Sequence, residues 1–217
     1  MGYAGAKEKK REQLLSIAEE LMMKYGPEET SYQEIGEKAG VTRQTVCNYF
    51  STKENLYIAI LERNRDRMSE SLDAYYNSAA FQRLTGYEQI VQFILYEIYR
   101  VRYEGPYMLM INRVALALGK NYRKLERTRD ISCVWQKHRL IRRSVEKGYR
   151  DGSIDRSVML TEDEIDASVW TTQAIRLYLA QQLFLTEEEA DSAQDHLISL
   201  YEKKMESYIK TLLKEAS

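Results

Sequence analysis

Apolar residues near the start of the chain recur at three- and four-residue spacing. Leu14, Leu15, Ile17, Ala18, Leu21 and Met22 alternate with charged neighbours, which predicts an amphipathic helix over 6–25 with one buried stripe. Gly26-Pro27 stops it, because glycine permits a left-handed cap and proline cannot continue the ladder. Ser31 with Glu34 three residues on forms a capping box, opening a short second helix that turns Ile35 and Ala39 inward and ends at Gly40. Thr42 caps a third short helix through Phe50, and Ser51 with Glu54 reads as another capping box that opens a long helix towards Tyr76. Two short helices joined by a glycine turn and flanked by long ones outline a helix-turn-helix.

Beyond residue 80 the same periodicity predicts helices over 86–103, 106–118, 121–149, 162–184 and 187–214. Gly105-Pro106, Gly119, Gly148 and Gly152 punctuate them, and Thr161 with Glu164 and Thr186 with Glu189 offer further capping boxes. The expectation is an all-α chain of about nine helices, with a three-helix N-terminal domain over 1–54 continuous with a larger helical domain over 55–217. Composition agrees: 44% of the 217 residues are hydrophobic, and two prolines and ten glycines leave long helices uninterrupted.

Charge changes the picture more. The net of −1 conceals a polarised chain: residues 100–150 carry fourteen Lys/Arg against four Asp/Glu, whereas residues 151–217 carry six against fourteen. Residues 1–65 carry ten of each, so attraction to phosphate has to come from a few well-placed cations rather than from general basicity. The basic segment reads first as a complement to the acidic one that follows, with an anionic effector site or a second nucleic-acid surface as alternatives. No apolar run is long enough to span a bilayer and no signal segment follows the charged N-terminus, so a cytoplasmic location is expected. Cys47 and Cys133 are far apart and belong to no metal-ligand cluster, so no metal and no cofactor are expected.

The third helix carries the chemistry. A helix that enters the major groove needs long polar side chains at its N-terminal end, and here that end is Thr42, Arg43, Gln44 and Thr45, with Asn48 one turn on. Arginine pairs bidentately with guanine, glutamine with adenine, and threonine reaches a phosphate or a thymine methyl. Val46 and Phe50, four apart, anchor the opposite face. An ordinary helical hairpin explains the outline but not this polar end.

The stretch SYQEIGEKAGVTRQTVCNYFSTKENL, residues 31–56, resembles the DNA-binding domain of the TetR family of bacterial one-component regulators. Ala39-Gly40-Val41-Thr42, Thr45, Tyr49-Phe50 and Lys53-Glu54-x-Leu56 stand at that family's characteristic spacing. The resemblance implies phosphate contacts from Tyr49 and Lys53 and base contacts near Arg43 and Gln44. Ser31, at the start of the second helix, joins the expected DNA-binding set. The chain departs from the common pattern at Gln44, where glycine is usual, and at Cys47, where tyrosine is usual. The glutamine adds a base-reading group. The cysteine removes a phosphate contact and reads as a small packing residue, with an oxidation switch as the alternative.

The resemblance further implies a homodimer on a palindromic operator and a small-molecule effector bound by the C-terminal domain, with repression the commoner outcome. Dimerisation is expected through the last two helices, about 162–214, where Trp170, Ala174, Leu177 and Tyr178 make one stripe and Leu197, Leu200, Tyr201 and Tyr208 another. The candidate ligand-binding residues are Phe93, Tyr96, Tyr103, Met108, Trp135 and Trp170, with Asn112, His138 and Gln173 as polar groups to orient a ligand. The rivals are a helical protein-binding adaptor and an enzyme. For the latter the sequence supplies no phosphate loop and no metal-ligand spacing, with His138 and His196 as the histidines.

Overall fold

The structure, a computed structural model, describes residues 3–122, 134–157, 160–184 and 191–213. Those residues form ten helices and no strand: α1 (Tyr3–Tyr25), α2 (Tyr32–Ala39), α3 (Arg43–Phe50), α4 (Lys53–Tyr76), α5 (Ala79–Arg83), α6 (Gly86–Tyr99), α7 (Val101–Ala117), α8 (Val134–Asp151), α9 (Glu162–Phe184) and α10 (Asp191–Leu213). The all-α expectation holds. The short α5, capped by Ser78, is the helix that periodicity did not announce, since five residues are too few to show a stripe. None of the described helices is long and apolar enough to cross a membrane.

The chain divides into two compact units, and the division falls within α4 and within α7. The first takes residues 3–67 and 109–122. Its core joins Leu14, Leu15, Ala18 and Met22 of α1 to Ile35 of α2, Val46 and Phe50 of α3, and Leu56 and Ile60 of α4, all buried. Each such side chain contributes about 1.5 to 3 kcal/mol, save the smaller alanine. The buried Glu19 carboxylate accepts from Arg63 Nε at 3.1 Å and lies 3.5 Å from Arg67, so α1 and α4 are tied by charge as well as by packing. Tyr57 of α4 donates to the Pro27 carbonyl at 2.8 Å, fixing the chain just after α1.

In the second unit α6 is the hub, packed against α8, α9 and α10. Its buried arc is accordingly broad: Ile90, Phe93, Ile94, Glu97 and Ile98 are all inside. The N-terminus of α6 is fastened three ways. Thr85 and Glu88 form a capping box, Gly86 N donates to Asp151 at 2.9 Å, and Tyr87 N donates to Ser153 at 3.1 Å. Gly86 itself is obligatory, because a β-carbon there would lie 2.0 Å from the backbone nitrogen of Gly148 in α8.

The helices depart from expectation at two places. The break expected at Gly105-Pro106 lies at Arg100, and α7 runs on through Pro106. A proline in the second turn of a helix forfeits a single ladder bond, and Gly105 is small because the Phe184 ring packs on it. The cap expected at Ser51 belongs to Thr52, whose hydroxyl accepts from Asn55 N at 3.2 Å. Ser51 closes α3 instead, its N–H bonded to Cys47 O at 2.7 Å and its φ at +55°. The Thr161–Glu164 capping box is present, whereas Thr186 and Glu189 lie outside the described residues.

Candidate nucleic-acid interface

The turn between α2 and α3 is built from local chemistry. Ser31 accepts from Glu34 N at 3.2 Å while the Glu34 carboxylate accepts from Ser31 N at 2.8 Å. The Ser31 hydroxyl, which also donates to that carboxylate at 2.7 Å, and after it the Ser31 N–H hold the Glu34 carboxyl below the usual range. Gly40 ends α2 in the left-handed region at φ +66°, and Val41 N returns to Gly36 O at 2.9 Å. Gly36 cannot carry a side chain, since a β-carbon would approach the Val41 carbonyl to 2.8 Å. Thr42 then caps α3 by accepting from Thr45 N at 3.2 Å, and its hydroxyl lies 3.0 Å from that of Thr45.

The polar side of α3 is thereby presented outward. Thr42, Arg43, Gln44 and Asn48 are exposed, Thr45, Cys47 and Tyr49 are half-buried, and Val46 and Phe50 are buried. Gln44 Nε2 donates to Asn48 Oδ1 at 3.1 Å, so the two amides stand together on one face. Lys53 Nζ donates to the Glu28 carbonyl at 2.6 Å, which places the ammonium beside the start of α2. The structure thus gathers Thr42, Arg43, Gln44, Thr45 and Asn48 on one short helix. Ser31 is engaged in its cap, and Lys53 in its carbonyl bond. Cys47 is near enough to Tyr32 of α2 to act on it: burial, followed by Cys47 and Tyr57, raises the Tyr32 phenol to about 12. That position suits a packing cysteine. Arg11 of α1 stacks 5.8 Å over the Phe50 ring, steadying α3 from behind.

The nine candidate ligand residues are not brought to one place. Phe93 is core, Tyr96 stacks on Tyr75 with centroids 4.5 Å apart, and Tyr103 is exposed with its hydroxyl 2.9 Å from that of Tyr99. Trp135 and Trp170 are exposed, and Asn112 belongs to the first unit. His138 is buried, with Nε2 3.0 Å from Glu162 and 3.3 Å from Asp166. Met108 and Gln173 do meet, at Arg176: its guanidinium donates to Gln173 Oε1 at 3.0 Å and reaches Met108 Sδ at 3.1 Å.

Arg176 leads to a cluster that the periodicity argument did not register. Glu97 is 0% exposed, and Lys137 (2%), Arg176 (4%) and Arg100 (6%) converge on it from α8, α9 and the end of α6. Burial opposes ionisation of Glu97, but Arg176, Lys137 and Arg100 together outweigh it and hold the carboxyl at about 2. Arg100 also pairs with Glu104. The legible signal was a carboxylate in the apolar run Phe93-Ile94-Leu95-Tyr96-Glu97-Ile98 and an arginine amid Leu177, Tyr178 and Leu179. One turn from this cluster, the second unit holds a mostly apolar cleft that opens to solvent. Ile90, Ile94, Ile141, Thr172, Met205 and Ile209 are among its walls.

Among the described residues no group of three or more His, Cys, Asp or Glu is placed to hold a metal ion. The basic segment reaches the acidic one at Arg142 with Glu162 and at Arg102 with Asp195. Arg123, Lys124, Arg127 and Arg129 lie outside the described residues.

Residues 14–60 match the profile for bacterial regulatory proteins of the tetR family. A curated relative, the HTH-type transcriptional activator FasR of Mycolicibacterium smegmatis, is 34% identical over 62 residues. That match covers 29% of this chain and 28% of the relative, so less than a third of either protein is aligned. Solved structures match along nearly the whole chain. NemR of Escherichia coli in its reduced form superposes with a TM-score of 0.66 at 16% identity, covering 96% of this chain and 99% of that one. A TetR-family transcriptional regulator of Pectobacterium atrosepticum gives 0.63 at 17% identity over 100% of both. The fatty acid degradation regulator FadR of Bacillus halodurans gives 0.63 at 14%, covering 92% and 94%. Residues 14–60 are thus similar in sequence to the helix-turn-helix of tetR-family regulatory proteins, and the fold of nearly the whole chain is similar to that of solved regulators such as these.

Proposed function

We propose that residues 1–54 read a palindromic operator and that residues 55–217 dimerise and bind a small-molecule effector, which releases the protein from DNA in the cytoplasm. The observation that carries the reading is the exposed row Thr42, Arg43, Gln44 and Asn48 on a helix whose other side is fixed by Val46 and Phe50. Arg43 and Gln44 supply base contacts, Asn48 supports them one turn on, and Thr42, Thr45, Tyr49 and Ser31 position the helix on phosphates. Lys53 exchanges the Glu28 carbonyl for a phosphate oxygen, gaining a charge-assisted bond.

Site selection from random DNA followed by gel retardation tests this. The expected result is salt-sensitive binding to a palindrome, and absence of any selected sequence would overturn it. Arg43→Ala is expected to cost roughly 1 to 3 kcal/mol of specific binding and to relax one base pair of the site, whereas Lys53→Ala weakens all sequences about equally and lowers the salt slope by about 1.

A single eight-residue reading helix makes too few base contacts for a specific site, which argues for two copies related by a two-fold axis. On α9, Ala167, Trp170, Thr171, Ala174 and Tyr178 form an exposed stripe opposite its buried face, and Leu200 and Tyr208 are exposed on α10. Trp170, 53% exposed, stands within that stripe. Trp170→Asp is expected to yield monomers in sedimentation velocity and to abolish preference for a palindrome over a half-site. Dimers that persist would place the interface elsewhere.

A further inference from the structure

The second unit's cleft and its buried cations are carried by the same three helices. Ile94 and Glu97 lie three apart on α6, Lys137 and Ile141 four apart on α8, and Thr172 and Arg176 four apart on α9. At those spacings the two members share a helix face, about 5 to 6 Å from one another. Three walls of the cleft therefore continue, one turn further, into the cluster of Glu97, Lys137 and Arg176. The cleft supplies the apolar part: Ile90, Ile94, Ile141, Met205 and Ile209 face it, and Thr172 stands on the wall that leads to Arg176.

The electrostatics of the cluster select the charge of a head group that would reach it from the cleft. Three buried cations share one fully buried carboxylate, and the second carboxylate of the group, Glu104, is 40% exposed and pairs with Arg100. The Nε atoms of Arg100 and Arg176 are buried and donate to no group among the described residues. A cationic head would meet three like charges. A neutral head would forgo the charge-assisted bonds that a guanidinium and an ammonium give best to a carboxylate.

We propose that the effector of this protein is an amphiphilic carboxylate, its apolar body in the cleft and its anionic head on Arg176 and Lys137. This deepens the proposed function, whose effector was left without a chemical class. The head shares the cations with Glu97, which is already drawn to both, so binding redistributes their hydrogen bonds and bears on α6, α8 and α9 together.

The test uses the full-length protein with octanoate and octan-1-ol, which share a chain and differ in head charge, in calorimetric titration and thermal shift. Octanoate is expected to bind at least about tenfold tighter than the alcohol. Arg176→Met is expected to erase that preference while leaving alcohol binding unchanged, since Lys137 and Arg100 still neutralise Glu97. Lys137→Met serves as the second variant should Arg176→Met fail to fold. Equal affinity for the two amphiphiles, no binding of octanoate, or a preference that survives in the folded variant would overturn the inference. Retardation of the selected operator without amphiphile, run on the same samples, reports separately on the DNA-binding reading.

Discussion

Glu97→Gln is expected to destabilise the protein by about 3 to 5 kcal/mol, because it leaves Lys137, Arg176 and Arg100 buried without their shared carboxylate. In a chain of this length that corresponds to a fall of roughly 10 °C or more in melting temperature at neutral pH. The loss should carry a pH signature. Burial disfavours the Glu97 carboxylate, the three cations more than compensate, and its folded pKa of about 2 lies below the ordinary 4.5. The ionised group therefore contributes stability that is complete above the ordinary value and is lost as pH falls through about 2. Melting curves between pH 5 and pH 2 should thus slope less steeply for Glu97→Gln than for the unmodified protein. Parallel slopes would show that Glu97 does not titrate as a paired group. A triple replacement, Glu97→Leu with Lys137→Met and Arg176→Met, is expected to recover most of the lost stability, because apolar side chains need no compensation. Such recovery would separate the cluster's effect on folding from the effect proposed for it on ligand charge.

Gly86→Ala is the second substitution expected to do serious harm, from one methyl group. The new β-carbon would fall 2.0 Å from Gly148 N, 2.3 Å from Ser144 O and 2.4 Å from Gly148 Cα, all backbone atoms of α8. Backbone cannot rotate aside as a side chain does, so α6 and α8 must part. Parting would strain the bonds from Lys147 Nζ to Leu84 O (2.7 Å) and from Ser144 to Gln89 (3.1 Å). A loss of about 3 kcal/mol is expected from this overpacking, read by denaturant titration. Gly40→Ala makes the contrast: open space surrounds that position, and only its φ of +66° resists a side chain, so a loss of about 1 kcal/mol is expected.

What the sequence disclosed follows from the range of the interactions involved. Caps and turns are made by residues a few positions apart, so Ser31 with Glu34, Thr42 and Gly40 were legible before any fold was known. The outward row on α3 was legible for the same reason, since a short helix has only one face left once Val46 and Phe50 are buried. Arg100 as the break between α6 and α7 was not, because the local signal of Gly105-Pro106 was overridden by packing of Phe184 on Gly105. The aromatic residues expected to bind a ligand do not announce the cleft. Tyr103, Trp135 and Trp170 face outward, whereas the walls of the cleft, Ile90, Ile94, Ile141, Met205, Tyr208 and Ile209 among them, come from helices far apart in sequence. The buried charges were visible as anomalies in apolar runs, yet that Lys137 and Arg176 both meet Glu97 depends on contacts spanning forty residues or more.

On the proposed reading, the hydrogen bond from Gln44 Nε2 to Asn48 Oδ1 bears on how the DNA target of this protein changes. Each amide sets the other's orientation, so a substitution at 44 also frees the group at 48 to turn. Operator letters read by the two positions would then drift as a pair rather than singly. Descendants of this protein would diverge in binding site by correlated double steps.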